Sequence, residues 1–198
     1  MTASRAQRGS DTATRILDIA QRLVQQRGFN GFSYADVAQE LGVTTASLHY
    51  HFAGKAELGE ALVTRYATRF AESLAAIDAR GLAAPAKLKG YADLYADVLR
   101  DQRMCLCGML AAEYQTLPGR MGDQVLRFFE DNESWLAEVL EQGLREGSLA
   151  FEGPAQEVAR TFMGGLQGAM LLARPSGDLD RLRAASRGLL TGLTTTVT

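Results

Sequence analysis

Residues 32–55 read FSYADVAQELGVTTASLHYHFAGK, and this stretch decides the fold. Ser33 is followed three positions later by Asp36, a variant of the capping box, so a helix should begin there. Gly42 can adopt the left-handed backbone that ends a helix, and Thr44 is a favourable N-cap for the next helix. Two short helices joined by a tight turn form a helix-turn-helix, which presents its second helix to the major groove of DNA.

The second helix of this motif has one buried face and one outward face. Leu48 and Phe52 lie four residues apart and should both point into the core, and Val43 should pack back into the core at the turn. The residues that then face outward are Ala46, Ser47, His49 and Tyr50. Small residues allow a close approach to base edges, and His and Tyr can reach bases or phosphates. The pattern predicts a DNA-reading helix; the alternative is an ordinary helix pair in an all-helical core.

Residues 14–62 resemble the DNA-binding domain of the TetR family of bacterial transcriptional regulators. The segments that carry the resemblance are TRILDIAQRLVQQRG, GFNGFSYADVAQELGV and TASLHYHFAGKAEL. The aromatic end of the reading helix, followed by Phe52, Gly54 and Lys55, is its most diagnostic part. The family usually has tyrosine where this chain has His49, so one backbone contact should differ. The resemblance implies an all-α fold with an N-terminal three-helix domain and a larger helical domain that dimerises and holds an effector.

The resemblance also implies which residues contact DNA. Ser33 and Tyr34, at the start of the second helix, correspond to phosphate contacts. Tyr50 and His51 correspond to backbone contacts, and Lys55 corresponds to a phosphate-binding lysine at the start of the fourth helix. The residues that correspond to groove contacts at the opening of the reading helix are Thr44, Thr45 and Ala46. Thr44 can alternatively be only a cap, and His51 only a packed side chain.

Composition and charge describe a globular protein rather than one that coats DNA. The chain has 198 residues, a formal net charge of −2 and a pI of about 5.7. Residues 1–70 contain eight Arg or Lys against six Asp or Glu, so this part carries +2 and the remainder −4. A mildly basic N-terminal part on an acidic body is consistent with local phosphate binding.

We expect two domains. Residues 1–54 should form an N-terminal arm and the helix-turn-helix domain, and residues 55–198 the effector-binding and dimerisation domain. The first dozen residues contain Arg5 and Arg8 but no apolar run, which predicts a flexible arm or solvated tail rather than a signal peptide. The longest apolar stretch, GAMLLA near residue 170, is too short to span a bilayer. A cytoplasmic location without a membrane partner is therefore expected.

Apolar spacing predicts helices along the rest of the chain. A long fourth helix should start near residue 55, and the next helix should follow the GLAAPAK break near residue 85. A short helix is predicted over about 104–116, and a long helix follows the break at residues 117–119 and runs to about 146. The next helix should cover about 154–173, and a last helix should end near 193. The breaks between them contain Pro or Gly, which end helices.

The last two predicted helices have the composition of a dimer interface. Glycine inside a helix costs about 1 kcal/mol, so several together indicate a packing purpose. The alternative is tight packing within one chain. In the family that the chain resembles, these helices pair with their mates, which favours a homodimer on a palindromic double-stranded DNA operator. The predicted interface residues are Gly164, Gly165, Gly168, Leu172, Leu189 and Leu193.

The central helices are rich in aromatic and sulfur-containing residues that can line a cavity. Such residues more often form the core. The resemblance, however, implies that a small-molecule effector of unknown identity binds in this region. The predicted effector-binding residues are Tyr91, Tyr95, Cys105, Cys107, Met109, Tyr114, Phe128, Trp135 and Phe162.

Cys105 and Cys107 are the only cysteines. Two apart on one helix, they diverge by about 200° and do not easily form a disulfide. Two cysteines without nearby histidines do not make a zinc site, so we expect no metal and no cofactor. They are either two small buried apolar residues or a thiol sensor of electrophiles or oxidants. CLCGMLAAE resembles the effector domain of the family's electrophile-responsive branch, in which one cysteine lies near the position of Cys105.

No catalytic constellation is apparent, because both histidines lie in the reading helix and no phosphate-binding glycine loop is present. We therefore expect a TetR-like DNA-binding regulator, a repressor released from its operator by a small-molecule or electrophile effector. Two alternatives remain at this point. One is a helical ligand-binding protein that does not bind an operator. The other is a cysteine-dependent enzyme that uses Cys105 or Cys107 together with Glu113.

Overall fold

The computed structural model describes residues 2–194, which form nine α-helices, two short 3-10 turns and no β-strand. The predicted all-α fold is thereby confirmed. No helix in the described range combines the length and apolar character that crossing a membrane requires. The helices are α1 (Thr2–Arg27), α2 (Tyr34–Leu41), α3 (Thr45–His51), α4 (Lys55–Asp78), α5 (Ala84–Arg100), α6 (Leu106–Ala112), α7 (Met121–Glu146), α8 (Ala155–Ala173) and α9 (Leu179–Gly192). The 3-10 turns are Tyr114–Thr116 and Arg174–Ser176.

Helix α1 begins earlier than the sequence suggested. Its first residue is Thr2, so the backbone of residues 2–12, predicted to be a flexible arm, is helical. This part of the chain contains no proline and several Ala, Arg and Gln residues, which have high helix propensity and extend the helix beyond its apolar face. Met1, the first residue of the predicted arm, lies outside the described residues. The other end is as predicted: α1 ends at Arg27, before Gly28 with φ of 84°.

The chain divides into two compact units. The first contains the residues up to 68 together with residues 106–126, and the second contains residues 69–105 and those from 127 onward. Two of the three boundaries fall inside α4 and α7, and the third lies directly before α6. The predicted division after residue 54 concerns function rather than packing, and it stays a prediction.

The core of the first unit is built from the apolar faces of α1 to α4 and α6. Helix α1 packs against α2, α3 and α6, and α2 packs against α3. Side chains from each of these helices have at most 2% of their surface exposed. They include Ile16, Leu23, Val37, Leu48, Leu58, Leu62, Leu106 and Leu110.

The core of the second unit is rich in aromatic rings. Tyr91 and Tyr95 on α5, Phe128 on α7 and Phe162 on α8 are each at most 2% exposed. Phe70 on α4 contacts three of them, with ring centroids 5.9 Å from Tyr91, 6.3 Å from Tyr95 and 5.2 Å from Phe128. Helices α8 and α9 pack against each other and against α5.

Candidate nucleic-acid interface

The start of α2 is fixed by the predicted capping box. The backbone N–H of Ser33 donates to Asp36 Oδ2 at 2.7 Å, and the N–H of Asp36 donates to Ser33 Oγ at 3.3 Å. The hydrogen bond from the Ser33 side chain, followed by the one from its backbone, lowers the pKa of Asp36. Val37 and Leu41 are buried on the predicted inner face of the helix. The first half of the helix-turn-helix therefore follows from residues close together in sequence.

The turn between α2 and α3 uses Gly42 as predicted. Its φ of 74° is left-handed, and its N–H donates to Gln39 O while that of Val43 donates to Ala38 O at 3.0 Å. The prediction that Val43 packs into the core is wrong, because 38% of its surface is exposed. Its N–H turns back toward α2, which leaves its side chain on the outer side of the turn.

Helix α3 has the predicted inner and outer faces. Thr44 caps it by accepting a hydrogen bond from the N–H of Ser47 at 3.4 Å. Leu48 is fully buried and Phe52 is 8% exposed, whereas Tyr50 is 82% exposed. The other outward residues that are exposed to solvent are Thr44, Thr45, Ala46, Ser47 and His49. This face presents small and hydrogen-bonding groups, the types that approach base edges and phosphates.

Two aromatic residues predicted to contact DNA also make contacts within the chain. The Tyr34 hydroxyl donates to the carbonyl of Phe52 at 3.1 Å, and its ring lies 4.8 Å from that of His49. His49 Nδ1 lies 3.0 Å from the carbonyl oxygen of Ala53. Burial and the negative charge of Glu57 raise the pKa of Tyr34 to about 12, which keeps it a neutral donor. These contacts connect the start of α2 to the turn that follows α3.

Lys55 is held against the loop between α1 and α2. Its Nζ lies 4.6 Å from the ring centroid of Phe29 and 4.5 Å from that of Phe32, which is cation–π geometry. Burial lowers the pKa of Lys55, and the charges of Glu113 and Asp36 act in the opposite direction. The predicted phosphate contacts of Lys55, Tyr34 and His51 stay predictions.

Glu113 has a role that the sequence did not indicate. Its Oε2 accepts the N–H of Phe29 at 2.5 Å, and its Oε1 accepts the N–H of Asn30 at 3.2 Å. These residues are more than 80 positions apart in sequence. From the sequence, Glu113 is a candidate only as the partner of a catalytic cysteine. With its carboxylate bound to two backbone amides, Glu113 is poorly placed to act as a general base.

The predicted effector residues divide between the two units. The ring of Tyr91 contacts those of Tyr95, Trp135 and Phe162 in the second unit. The predicted residues that belong to this unit are Tyr91, Tyr95, Cys105, Phe128, Trp135 and Phe162. The Tyr91 and Tyr95 hydroxyls are 3.0 Å apart in the core, and burial raises the pKa of Tyr91. The predicted residues that belong to the first unit are Cys107, Met109 and Tyr114.

Both cysteines are buried and do not form a disulfide; 1% of the surface of Cys105 is exposed, and Cys107 is fully buried. Cys105 directly precedes α6, and Cys107 lies within it. Within the described part of the chain, no group of three or more His, Cys, Asp or Glu side chains is arranged to hold a metal ion.

The predicted dimer residues on α8 and α9 differ in their surroundings. No atom outside the helix backbone lies within 4 Å of the position where Gly164 or Gly168 would carry a Cβ, and Leu172 is 65% exposed. A Cβ added at Gly165, by contrast, would lie 3.0 Å from the Leu189 side chain of the same chain. Leu193 is 7% exposed. Gly165, Leu189 and Leu193 therefore contribute to packing within one chain, whereas the other three remain open to a partner.

Comparison with known proteins gives one family. The model described as "Bacterial regulatory proteins, tetR family" matches residues 16–62, and the model described as "Tetracyclin repressor-like, C-terminal domain" matches residues 84–189. A TetR-family regulator from Agrobacterium tumefaciens, known from its crystal structure, is 33% identical with a TM-score of 0.90, covering 94% of this chain and all of that one. A TetR regulator from Legionella pneumophila is 31% identical with a TM-score of 0.83, covering 90% and 95%. The transcriptional regulator AcuR of Cereibacter sphaeroides is 25% identical over 82% of this chain and 76% of its own length.

Proposed function

Because the chain belongs to the TetR family of DNA-binding transcriptional regulators, we propose that it represses transcription from a palindromic operator and is released by a small-molecule effector. The observation that carries the proposal is the two-faced helix α3, in which Leu48 is fully buried and Tyr50 is 82% exposed. The relatives are named as transcriptional regulators rather than enzymes, and the proposal requires no catalysis. A repressor of bacterial genes acts in the cytoplasm, where the DNA is.

The N-terminal end of α3 supports a direct approach to base edges. Thr45, Ala46 and Ser47 are small and exposed, so the helix can enter a major groove without steric obstruction. Tyr50 adds an exposed phenolic hydroxyl one turn further along. The exposed position of Ser33 at the N-cap of α2 supports the proposed phosphate contact, because the first helix of a helix-turn-helix crosses the DNA backbone.

The proposal includes a homodimer, the usual state of TetR regulators. Gly164, Gly168 and Leu172 on α8 form an open strip of two glycines and an exposed leucine. Leu171 is also 57% exposed. Small residues let a second helix approach closely, and the leucines supply apolar area to bury. A twofold dimer would place its two α3 helices on half-sites separated by about 34–36 Å, or a multiple of that distance.

The second unit supports an effector with an apolar or aromatic body and a hydrogen-bonding group. Its aromatic core contains the hydroxyl pair of Tyr91 and Tyr95, and the side-chain amide of Gln167 lies 3.5 Å from the Tyr95 hydroxyl. Rings provide apolar surface for a ligand, and hydroxyls fix its orientation.

Thiol sensing by Cys105 stays a separate prediction. Cys105 is buried, so an electrophile reaches it only when the structure opens locally. If it is the sensor, alkylation should release DNA from the wild-type protein and from Cys107→Ser but not from Cys105→Ser. Normal release from Cys105→Ser would identify the Cys105 thiol as structural.

Substitution of Tyr50 tests the DNA-binding surface. A duplex first selected by the protein from a random-sequence library serves as the probe. Tyr50→Ala should raise the Kd for this duplex at least about tenfold, equivalent to about 1.4 kcal/mol, because an exposed contact is lost. The melting temperature should stay unchanged, since this side chain is 82% exposed.

Leu144→Ala is the matched control, because Leu144 is an exposed residue of α7, 43% accessible, outside the reading helix. It should leave the Kd unchanged. Equal Kd values for wild type and Tyr50→Ala would contradict the assignment of α3 as the reading helix.

A further inference from the structure

Residues 106–126, which we call the clamp segment, contact both elements that flank the helix-turn-helix within the first unit. At one side, Glu113 accepts the N–H groups of Phe29 and Asn30 from the loop after α1. The Asn30 side-chain amide also donates to Thr116 Oγ1 at 2.7 Å, and Thr116 Oγ1 donates to the Glu113 carbonyl at 2.9 Å. The loop is therefore bound by both a carboxylate and a hydroxyl from this segment.

The other side of the clamp segment contacts α4. The N–H of Arg120 donates to Glu60 Oε1 at 3.1 Å, and Gln124 Nε2 donates to Thr64 Oγ1 at 3.0 Å. Gly59 leaves room for Met121, because a Cβ at Gly59 would overlap the Met121 sulfur. Both the entrance to α2 and the helix that follows α3 are therefore held by the same 21-residue stretch.

The loop that Glu113 binds carries the residues that locate α2 and Lys55. Phe29 and Phe32 are each 3% exposed, and their rings contact each other at 5.8 Å. Lys55 Nζ lies against both rings, and Ser33, the N-cap of α2, follows Phe32 directly. A displacement of this loop would therefore move α2 and the Lys55 ammonium together.

We propose that Glu113 is a positioning residue for DNA recognition, which holds the α1–α2 loop in the geometry that lets α2, α3 and Lys55 contact one duplex together. A carboxylate that accepts two successive amide hydrogens gives a strong, directional attachment. The clamp segment is covalently continuous with the second unit at Cys105 and Arg127. A change in the backbone path of this segment would therefore act through Glu113 on the α1–α2 loop, and through that loop on α2 and Lys55. The inference rests on the DNA-binding function.

The sign of the effect separates positioning from simple electrostatics. Glu113→Gln removes one negative charge, and by Coulomb's law alone this should strengthen binding to DNA. The same substitution replaces one carboxylate oxygen by an NH2 group. That NH2 group would face the backbone N–H of Phe29 or of Asn30, and it cannot accept the amide hydrogen because it is itself a hydrogen-bond donor. One hydrogen bond is lost, the loop shifts, and binding weakens.

The experiment compares full-length wild type, Glu113→Gln and Glu141→Gln on the duplex selected by the wild-type protein. Glu141 is an exposed glutamate of α7 whose carboxylate lies 3.7 Å from the Arg145 guanidinium, so it controls for the change in net charge. We expect the Kd of Glu113→Gln to rise about tenfold or more, and that of Glu141→Gln to stay equal or fall. The dependence of log Kd on log salt concentration should also become shallower for Glu113→Gln, because fewer phosphates are contacted at once.

A purely structural role predicts a different result. It would lower the melting temperature of Glu113→Gln, while the folded fraction kept the wild-type Kd and salt slope; that result would overturn the inference. If Glu113→Gln does not fold, a second variant, Thr116→Val, tests the same attachment. It removes the hydroxyl that binds the Asn30 side chain and leaves the Glu113 carboxylate in place. It should weaken binding in the same direction by a smaller factor, and an unchanged Kd would equally overturn the inference. A wild-type protein that selects no duplex would refute the DNA-binding function itself, whereas tight wild-type binding with unaffected variants refutes only the role of Glu113.

Discussion

Replacing Gly28 with alanine should destabilise the protein by more than backbone strain alone. Gly28 has a φ of 84°, and a residue with a side chain costs about 1–2 kcal/mol in the left-handed region. An added Cβ would also lie 2.7 Å from Glu113 Oε1 and 2.9 Å from its Cδ, so the carboxylate must move. Loss of one of its hydrogen bonds to the Phe29 and Asn30 amides adds about 1.5–3 kcal/mol. The total is about 2.5–5 kcal/mol.

Gly153 provides a matched control for the strain. Its φ is also 84°, but no atom lies within 4 Å of the added Cβ. Gly153→Ala should therefore cost only about 1–2 kcal/mol. The difference of about 1.5–3 kcal/mol corresponds to a melting temperature lower by roughly 3–12 °C for Gly28→Ala than for Gly153→Ala. Scanning calorimetry at one fixed protein concentration measures it, since dimerisation makes the melting temperature depend on concentration.

A double-mutant cycle tests whether Glu113 is the cause. If Gly28→Ala already breaks one of the hydrogen bonds of the carboxylate, then Glu113→Ala should cost less in that background than in the wild type. The double variant should be less destabilised than the sum of the single variants by about 1.5–3 kcal/mol. Equal melting temperatures for Gly28→Ala and Gly153→Ala, or strictly additive effects in the cycle, would refute the reasoning.

Two further predictions concern the second unit. Gly168→Leu should stabilise the helix of a monomer by about 1 kcal/mol, because glycine has low helix propensity, but it should dissociate a dimer that packs through α8. Sedimentation measures the oligomeric state, with the exposed substitution Glu141→Leu as the control. An unchanged dimer would exclude Gly168 from the interface. Burial acts to raise the pKa of Asp78, but the hydrogen bonds from Lys87 and Trp135 outweigh it and lower the pKa. The stability that Asp78 contributes is therefore fully present above its unfolded pKa of about 3.8 and is lost as the pH falls through the lower folded value. Asp78→Asn should therefore reduce the loss of folding stability at low pH, which Trp135 fluorescence can monitor. An unchanged dependence of stability on pH would contradict this role of Asp78.

The parts of the fold that sequence analysis predicted correctly depend on residues close together in the chain. The capping box of Ser33 and Asp36 spans three positions, and the left-handed Gly42 acts on its own turn. Leu48 is buried within α3, and Phe52, the C-cap that follows its last residue, is buried one turn later, so their spacing fixes the inner face. Most helix ends followed for the same reason, since propensity and breakers act over one or two turns; the exceptions are the early start of α1 and the helix predicted over about 104–116, of which α6 covers only Leu106–Ala112.

The parts that sequence analysis missed depend on distant residues. Nothing near residue 113 indicates that its carboxylate binds amides more than 80 positions earlier. The list of effector residues combined two sets for the same reason: the chain leaves the second unit after Cys105 and returns at Arg127, so Met109 and Tyr114 pack with the first unit. Gly165 shows the same limit, because an open glycine and one that accommodates Leu189 look alike in sequence.

The predicted DNA contacts differ in what holds them in place. Thr44 and Ser47 are fixed by the cap of α3, which is local and needs no other element. The Lys55 ammonium instead lies on Phe29 and Phe32, so its position depends on the loop that Glu113 binds. A change in the clamp segment can thus move the lysine and α2 while α3 remains folded and capped. Under the proposal that both sets of contacts are made to one duplex, the protein can lose affinity for DNA without unfolding its reading helix.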